Sequence, residues 1–180
     1  MQKLTLRPIA IAFSAAMVFF AATYVSATEP TGPVTVTTPV PHCQVPCGIY
    51  TDQLRFEQML EDTKTIAKSI ASVETIAKAI GGGEMSPTNV NQLTRWINTK
   101  EDHASQIQKT IADYFLTQRI KESNKDYTSQ LITAHKVMVA AMKCKQDAKA
   151  ETAASLKKAI YDLYRAYEGK EPNFEHEEKK

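Results

Sequence analysis

After Pro87 this chain carries little glycine or proline and no run of β-branched residues. Those residue types interrupt helices or favour strands, so their scarcity leaves helix as the main option. The apolar residues keep a helical beat. Phe56, Met59/Leu60, Ile66/Ala67, Ile70, Val73, Ala77 and Ile80 recur on one face and predict a first helix over 51–80. Thr51 or Asp52 can cap its start, and Gly81-Gly82-Gly83 ends it. Ser86-Pro87 opens a second helix, with serine as the cap and proline at the first helical position. That helix runs to about Lys121 on a stripe of Val90, Leu93, Trp96/Ile97, Ala104, Ile107, Ile111 and Tyr114/Phe115, and Asn124 breaks it. A third helix, from about Tyr127 to Lys145, carries Leu131, Ala134/His135, Met138 and Met142. A fourth, from about Glu151 to Glu168, carries Leu156, Ala159/Ile160, Leu163 and Tyr167, and is stopped by Gly169 and Pro172. The tail to Lys180 is charged and expected to be loose. Four helices with mostly short connections predict an all-α, antiparallel four-helix bundle.

The N-terminus has a different character. Residues 1–27 read as a secretory signal. Lys3 and Arg7 give a positive start, Ile9 to Thr23 an apolar run, and Val25-Ser26-Ala27 a small-residue cleavage site. The apolar run is short for a spanning helix of about 20 residues, so cleavage is expected over an uncleaved anchor, although a membrane tether stays open. The product is expected in the periplasm or outside the cell. Residues 28–41 form a Thr/Val/Pro-rich pro-segment or linker, where Pro30, Pro33, Pro39 and Pro41 block helix.

The net charge of +2 is spread along the chain and gives no concentrated basic face for nucleic acid. The cysteine count of 3 is odd, and a chain of this length needs no disulfide staples. Cys144 reads as an inert thiol, His135 as structural or surface, and His176 as solvated. Tyr161, Tyr164 and Tyr167 read as packing or interface residues. Attention falls on His42-Cys43-Gln44-Val45-Pro46-Cys47-Gly48-Ile49-Tyr50, which holds two of the cysteines ahead of the first helix. Pro46 and Gly48 argue for a tight hook over a helix. Two thiols on a hook can form a small-loop disulfide, bind zinc with a further ligand from a helix, or join a square-planar nickel or copper site.

The nine residues match His-Cys-x-x-Pro-Cys-Gly-x-Tyr at every specified position and so resemble the nickel hook of the nickel superoxide dismutases. The resemblance implies a domain over 42–180 with its hook at 42–50. It implies dismutation of superoxide to oxygen and hydrogen peroxide by Ni(III)/Ni(II) cycling, with one nickel ion per subunit. The implied donors are the Cys43 and Cys47 thiolates, the Cys43 backbone nitrogen, and the free amine and imidazole of His42. Tyr50 would stand at the mouth. Arg55-Phe56-Glu57 and Asp113-Tyr114-Phe115 resemble family triplets, which makes Glu57 and Tyr114 candidates for support around the metal. His103 shares a helix face with Tyr114 and is a third candidate. Gln44 stands where an acidic residue is common in the family, and His103 where an arginine can occur. A free amine at His42 demands a maturation protease cutting after Pro41. The resemblance also implies a homohexamer. The rival expectation is a non-enzymatic exported helical protein whose Cys43/Cys47 pair binds metal or forms a disulfide.

Overall fold

The computed structural model describes residues 43–174. The signal, the spacer, His42 and His176 lie outside the described residues. Among the described residues there are helices and no strands. Helix α1 spans Asp52–Gly81 and α2 spans Pro87–Lys109. A π-helical segment, Thr110–Arg119, continues α2, and α3 (Tyr127–Gln146) and α4 (Ala150–Glu168) follow. Each helix packs against its neighbours in the chain, and α4 returns to α1, which closes the bundle.

The caps follow from the residues at the ends. Thr51 accepts a hydrogen bond from the Leu54 backbone N–H at 3.4 Å, and Ser86 accepts one from Asn89 at 3.1 Å. With Thr51 capping α1, the Asp52 carboxylate is left for other partners. Lys100 is buried, yet its ammonium is satisfied. It donates to the Cys144 and Lys145 carbonyls at 2.6 and 2.7 Å, at the last turn of α3, and to Glu101 at 2.8 Å. A cation there suits the negative end of a helix.

The core is confined to one part of the bundle. It is built from Phe56 to Ile70 on α1, Ala104 to Phe115 on α2 and the π segment, Ala134 to Cys144 on α3, and Ala153 to Tyr164 on α4. No residue between Ile70 and Lys100 is buried. Of the expected stripe positions, Val73 and Ile80 are therefore only partly buried and Ala77 is exposed, and α3 and α4, at 20 and 19 residues, are shorter than the 30-residue α1. Nearer the hook the core is aromatic. The Phe56 ring lies 4.9 Å from Phe115 and 5.0 Å from Tyr164, and Phe115 lies 5.4 Å from Tyr167. Such tilted and edge-on pairs add to area burial.

Two expectations change. The second helix does not continue as α-helix to Lys121. From Thr110 the hydrogen bonds reach back five residues, as in Ile120 N–H to Phe115 C=O at 2.8 Å. The tail is not wholly loose either. Gly169 adopts φ 68°, a left-handed cap that suits glycine. The chain turns back there, and Phe174 is buried against Tyr164 at 4.9 Å and Tyr161 at 5.9 Å.

Candidate metal centre

The hook leads directly into α1. Gly48 takes φ +81°, a conformation that side chains on Cβ strain, and this turns the chain after Cys47. The Cys43 and Cys47 sulfurs lie 3.7 Å apart as hydrogen-bonded thiols with no disulfide between them. The Cys47 sulfur, through its hydrogen bond and its charge, raises the Cys43 thiol above its ordinary pKa, and the charge of Lys121 opposes that shift.

The π segment faces the hook with four side chains. Asp113 accepts from the Gln44 amide at 2.9 Å and pairs with Lys109. Tyr114 donates to the Tyr50 carbonyl at 3.2 Å and to Asp52 at 2.6 Å. Gln118, itself buried, accepts from the Cys47 thiol at 3.9 Å. Arg119 donates to Asp52 at 2.9 and 2.5 Å. A π-helix spreads its residues more widely around the axis than an α-helix, and such segments recur at functional sites.

Asp52 is the junction beneath the hook. Besides Tyr114 and Arg119 it accepts from Tyr167 of α4 at 2.9 Å. Burial alone would raise its pKa. The hydrogen bonds from Arg119, Tyr114 and Tyr167 outweigh burial and hold the carboxyl below its ordinary value. Conversely, burial and the Asp52 hydrogen bond push the Tyr114 and Tyr167 phenols up to about 12. Both phenols are therefore protonated donors at neutral pH. Tyr50 is exposed, with its ring 6.5 Å from that of Tyr114, and the Arg55 guanidinium lies 5.0 Å from the Tyr50 ring centre.

Cys43, Cys47, Tyr50 and Tyr114 thus meet at one end of the bundle. Glu57 lies one turn further along α1 and accepts from Gln53 at 2.9 Å. Its expected partner His42 is outside the described residues, and so is the His42 end of the donor set. Among the described residues, no group of three His, Cys, Asp or Glu side chains converges.

His103 is not at the hook. It shares a face with Tyr114 but is eleven positions away, about 16 Å along a helix axis, and the π segment also changes the register between them. Its Nδ1 meets Asp62 of α1 at 2.6 Å instead. The other Asp62 oxygen is buried without a partner. Burial pushes this carboxyl above its ordinary pKa of 3.8, and His103 only partly opposes it. A raised folded-state pKa means stability is lost as pH rises from the unfolded value through the folded one. Replacing Asp62 by asparagine should therefore stabilise the fold at pH 7 by about 1 kcal/mol. The gain should vanish below the ordinary carboxylate range, which urea melts at the two pH values would measure. A loss of stability at pH 7 would contradict it.

Of the residues around the hook, Asp52, Gln118, Arg119 and Tyr167 were not singled out by sequence reasoning for any role at the metal. Gln118 had a signal, since it lies four positions after Tyr114 and shares its face. Tyr167 had none, because its approach depends on how α4 returns to α1.

A model of the nickel-containing superoxide dismutase family matches residues 37–171, a span that takes in the hook and all four helices. The chain belongs to that family. It is a nickel-dependent oxidoreductase whose substrate is superoxide. Neither the curated proteins nor the solved structures contain a match to it. The donor chemistry of the hook fits the family's metal. Two thiols 3.7 Å apart are soft donors that can join one square-planar nickel(II) site.

Proposed function

We propose that nickel is held at the hook by the Cys43 and Cys47 thiolates, the Cys43 backbone nitrogen, and the amine and imidazole of His42. The observation that carries this is the 3.7 Å approach of the two sulfurs on a turn anchored from below by the π segment. Nickel ligated in this way supplies a Ni(III)/Ni(II) couple, because anionic sulfur and amide donors stabilise the higher state. The overall change is 2 O₂⁻ + 2 H⁺ → O₂ + H₂O₂.

The chain's own groups divide the remaining work. The exposed Tyr50 phenol lines the approach and orders water or substrate. Tyr114 fixes the Tyr50 backbone from behind and stays protonated. Arg55 and Lys121 give the mouth a local positive field that favours entry of an anion. Glu57 is assigned to the imidazole of His42, since a ligating histidine ordinarily donates its other N–H.

The same reading includes export through residues 1–27, to the periplasm or beyond, and a protease that cuts between Pro41 and His42. It also includes assembly as a homohexamer. The amine ligand exists only after the cut. Mass spectrometry and metal analysis of the purified protein are expected to give a chain beginning at His42 with one nickel ion. A chain beginning at Thr28 and carrying no nickel would remove the amine ligand and with it the proposal.

A further inference from the structure

We propose that Gln118 donates an amide N–H to the Cys47 thiolate, and so limits both how strongly that sulfur donates to nickel and how readily it is oxidised. The inference rests on Cys47 being a nickel ligand.

In the thiol form Cys47 is the donor and the Gln118 carbonyl accepts, at 3.9 Å. Metal binding removes the proton, after which the sulfur can only accept. A half-turn about the last side-chain torsion exchanges the amide oxygen and NH₂ group, which are nearly the same size. Gln118 can thus satisfy the thiolate without moving its backbone. The Gln118 side chain is buried, with 7 % of its surface exposed, while Cys47 itself is exposed. A hydrogen bond to an ionised acceptor is among the stronger ones.

The donor that faces Cys47 is a neutral amide. A neutral donor draws density from the sulfur without cancelling its charge. That raises the Ni(III)/Ni(II) potential relative to an unbonded thiolate. It also slows attack of the sulfur on hydrogen peroxide, which this enzyme makes. In that attack a sulfur lone pair forms an S–O bond, the O–O bond breaks and hydroxide leaves. The balance is RS⁻ + H₂O₂ → RSOH + OH⁻, with sulfur giving up two electrons.

Two variants of the nickel-loaded enzyme test this. Gln118→Leu keeps bulk and loses the polar group. Gln118→Met keeps the length and offers no N–H. Both are expected to move the sulfur-to-nickel charge-transfer absorption to lower energy and to lower the midpoint potential. Peroxide oxidation of Cys47, read as added oxygen on the hook peptide, should quicken about tenfold, the scale of one charge-assisted hydrogen bond. If Gln118→Leu does not fold, Gln118→Met decides alone. Absorption, potential and oxidation rate all equal to the parent's would overturn the role of Gln118 and leave the nickel site standing. A nickel-loaded parent with no sulfur-to-nickel absorption would instead overturn the site on which the inference rests.

Discussion

Cys43→Ser is expected to abolish nickel binding and superoxide dismutation together while leaving the helical content unchanged. A serine hydroxyl is not ionised near neutral pH and is a poor partner for a soft ion. The substitution therefore removes an anionic sulfur donor, and among the described residues no cluster of ligating side chains stands by to replace it. Folding is insulated from the loss. Cys43 precedes α1, is only half-buried, and belongs to no part of the aromatic core. Metal analysis, superoxide decay and circular dichroism read the three quantities separately. Activity retained in the variant would show that the hook is not where superoxide reacts.

Asp52→Ala is the substitution expected to cost most in stability near the site. It removes one acceptor that serves Tyr114, Arg119 and Tyr167, and these come from the π segment and α4. Arg119 can turn to water. The two phenols are held among the aromatic rings and have less freedom. Leaving such donors unpaired costs about 1–3 kcal/mol each when they are fully buried, so a loss of about 2–4 kcal/mol is expected for this partly exposed set. The pH dependence distinguishes the mechanism from simple loss of packing. The folded-state pKa of Asp52 lies below the unfolded 3.8, so its contribution is present above that value and fades as pH falls through the folded one. The gap between parent and variant should narrow on acidification below 3.8. A gap that stays constant, or one under about 1 kcal/mol at pH 7, would mean that the carboxylate does not brace the hook.

The helices were legible because their signals are local. Ser86-Pro87 and Gly81-Gly82-Gly83 mark ends through the conformations those residues allow, and the apolar spacing gives the buried face as far as Ile70. Beyond Ile70 the same spacing persists without burial, since periodicity says nothing about how long the opposing helices are. The hook was legible as chemistry, through two cysteines with a proline and a glycine. Its support was legible only in part. Tyr114 was found through a triplet resemblance, but Asp52 looked like a helix cap, and Tyr167 looked like packing. His103 was misassigned because a shared face was taken as proximity, although three turns of helix intervene. The π segment has no residue that announces it, and it decides where Asp113, Tyr114, Gln118 and Arg119 point.

The reach of α1 and α2 past the shorter α3 and α4 divides the molecule into two dynamic regimes. Backbone amides between 71 and 99 are protected by one helix pair alone, and they should exchange with solvent through small local openings. Amides between 56 and 70, and those from 104 to 115, sit in the shared core, and most of them should exchange only when the whole domain unfolds. The hook is rooted in the second regime, through Asp52 at the opposite end of α1. Fraying at the far tip therefore leaves the distance between the two sulfurs untouched, and that tip is where the chain can gain or lose a turn of helix without altering the chemistry.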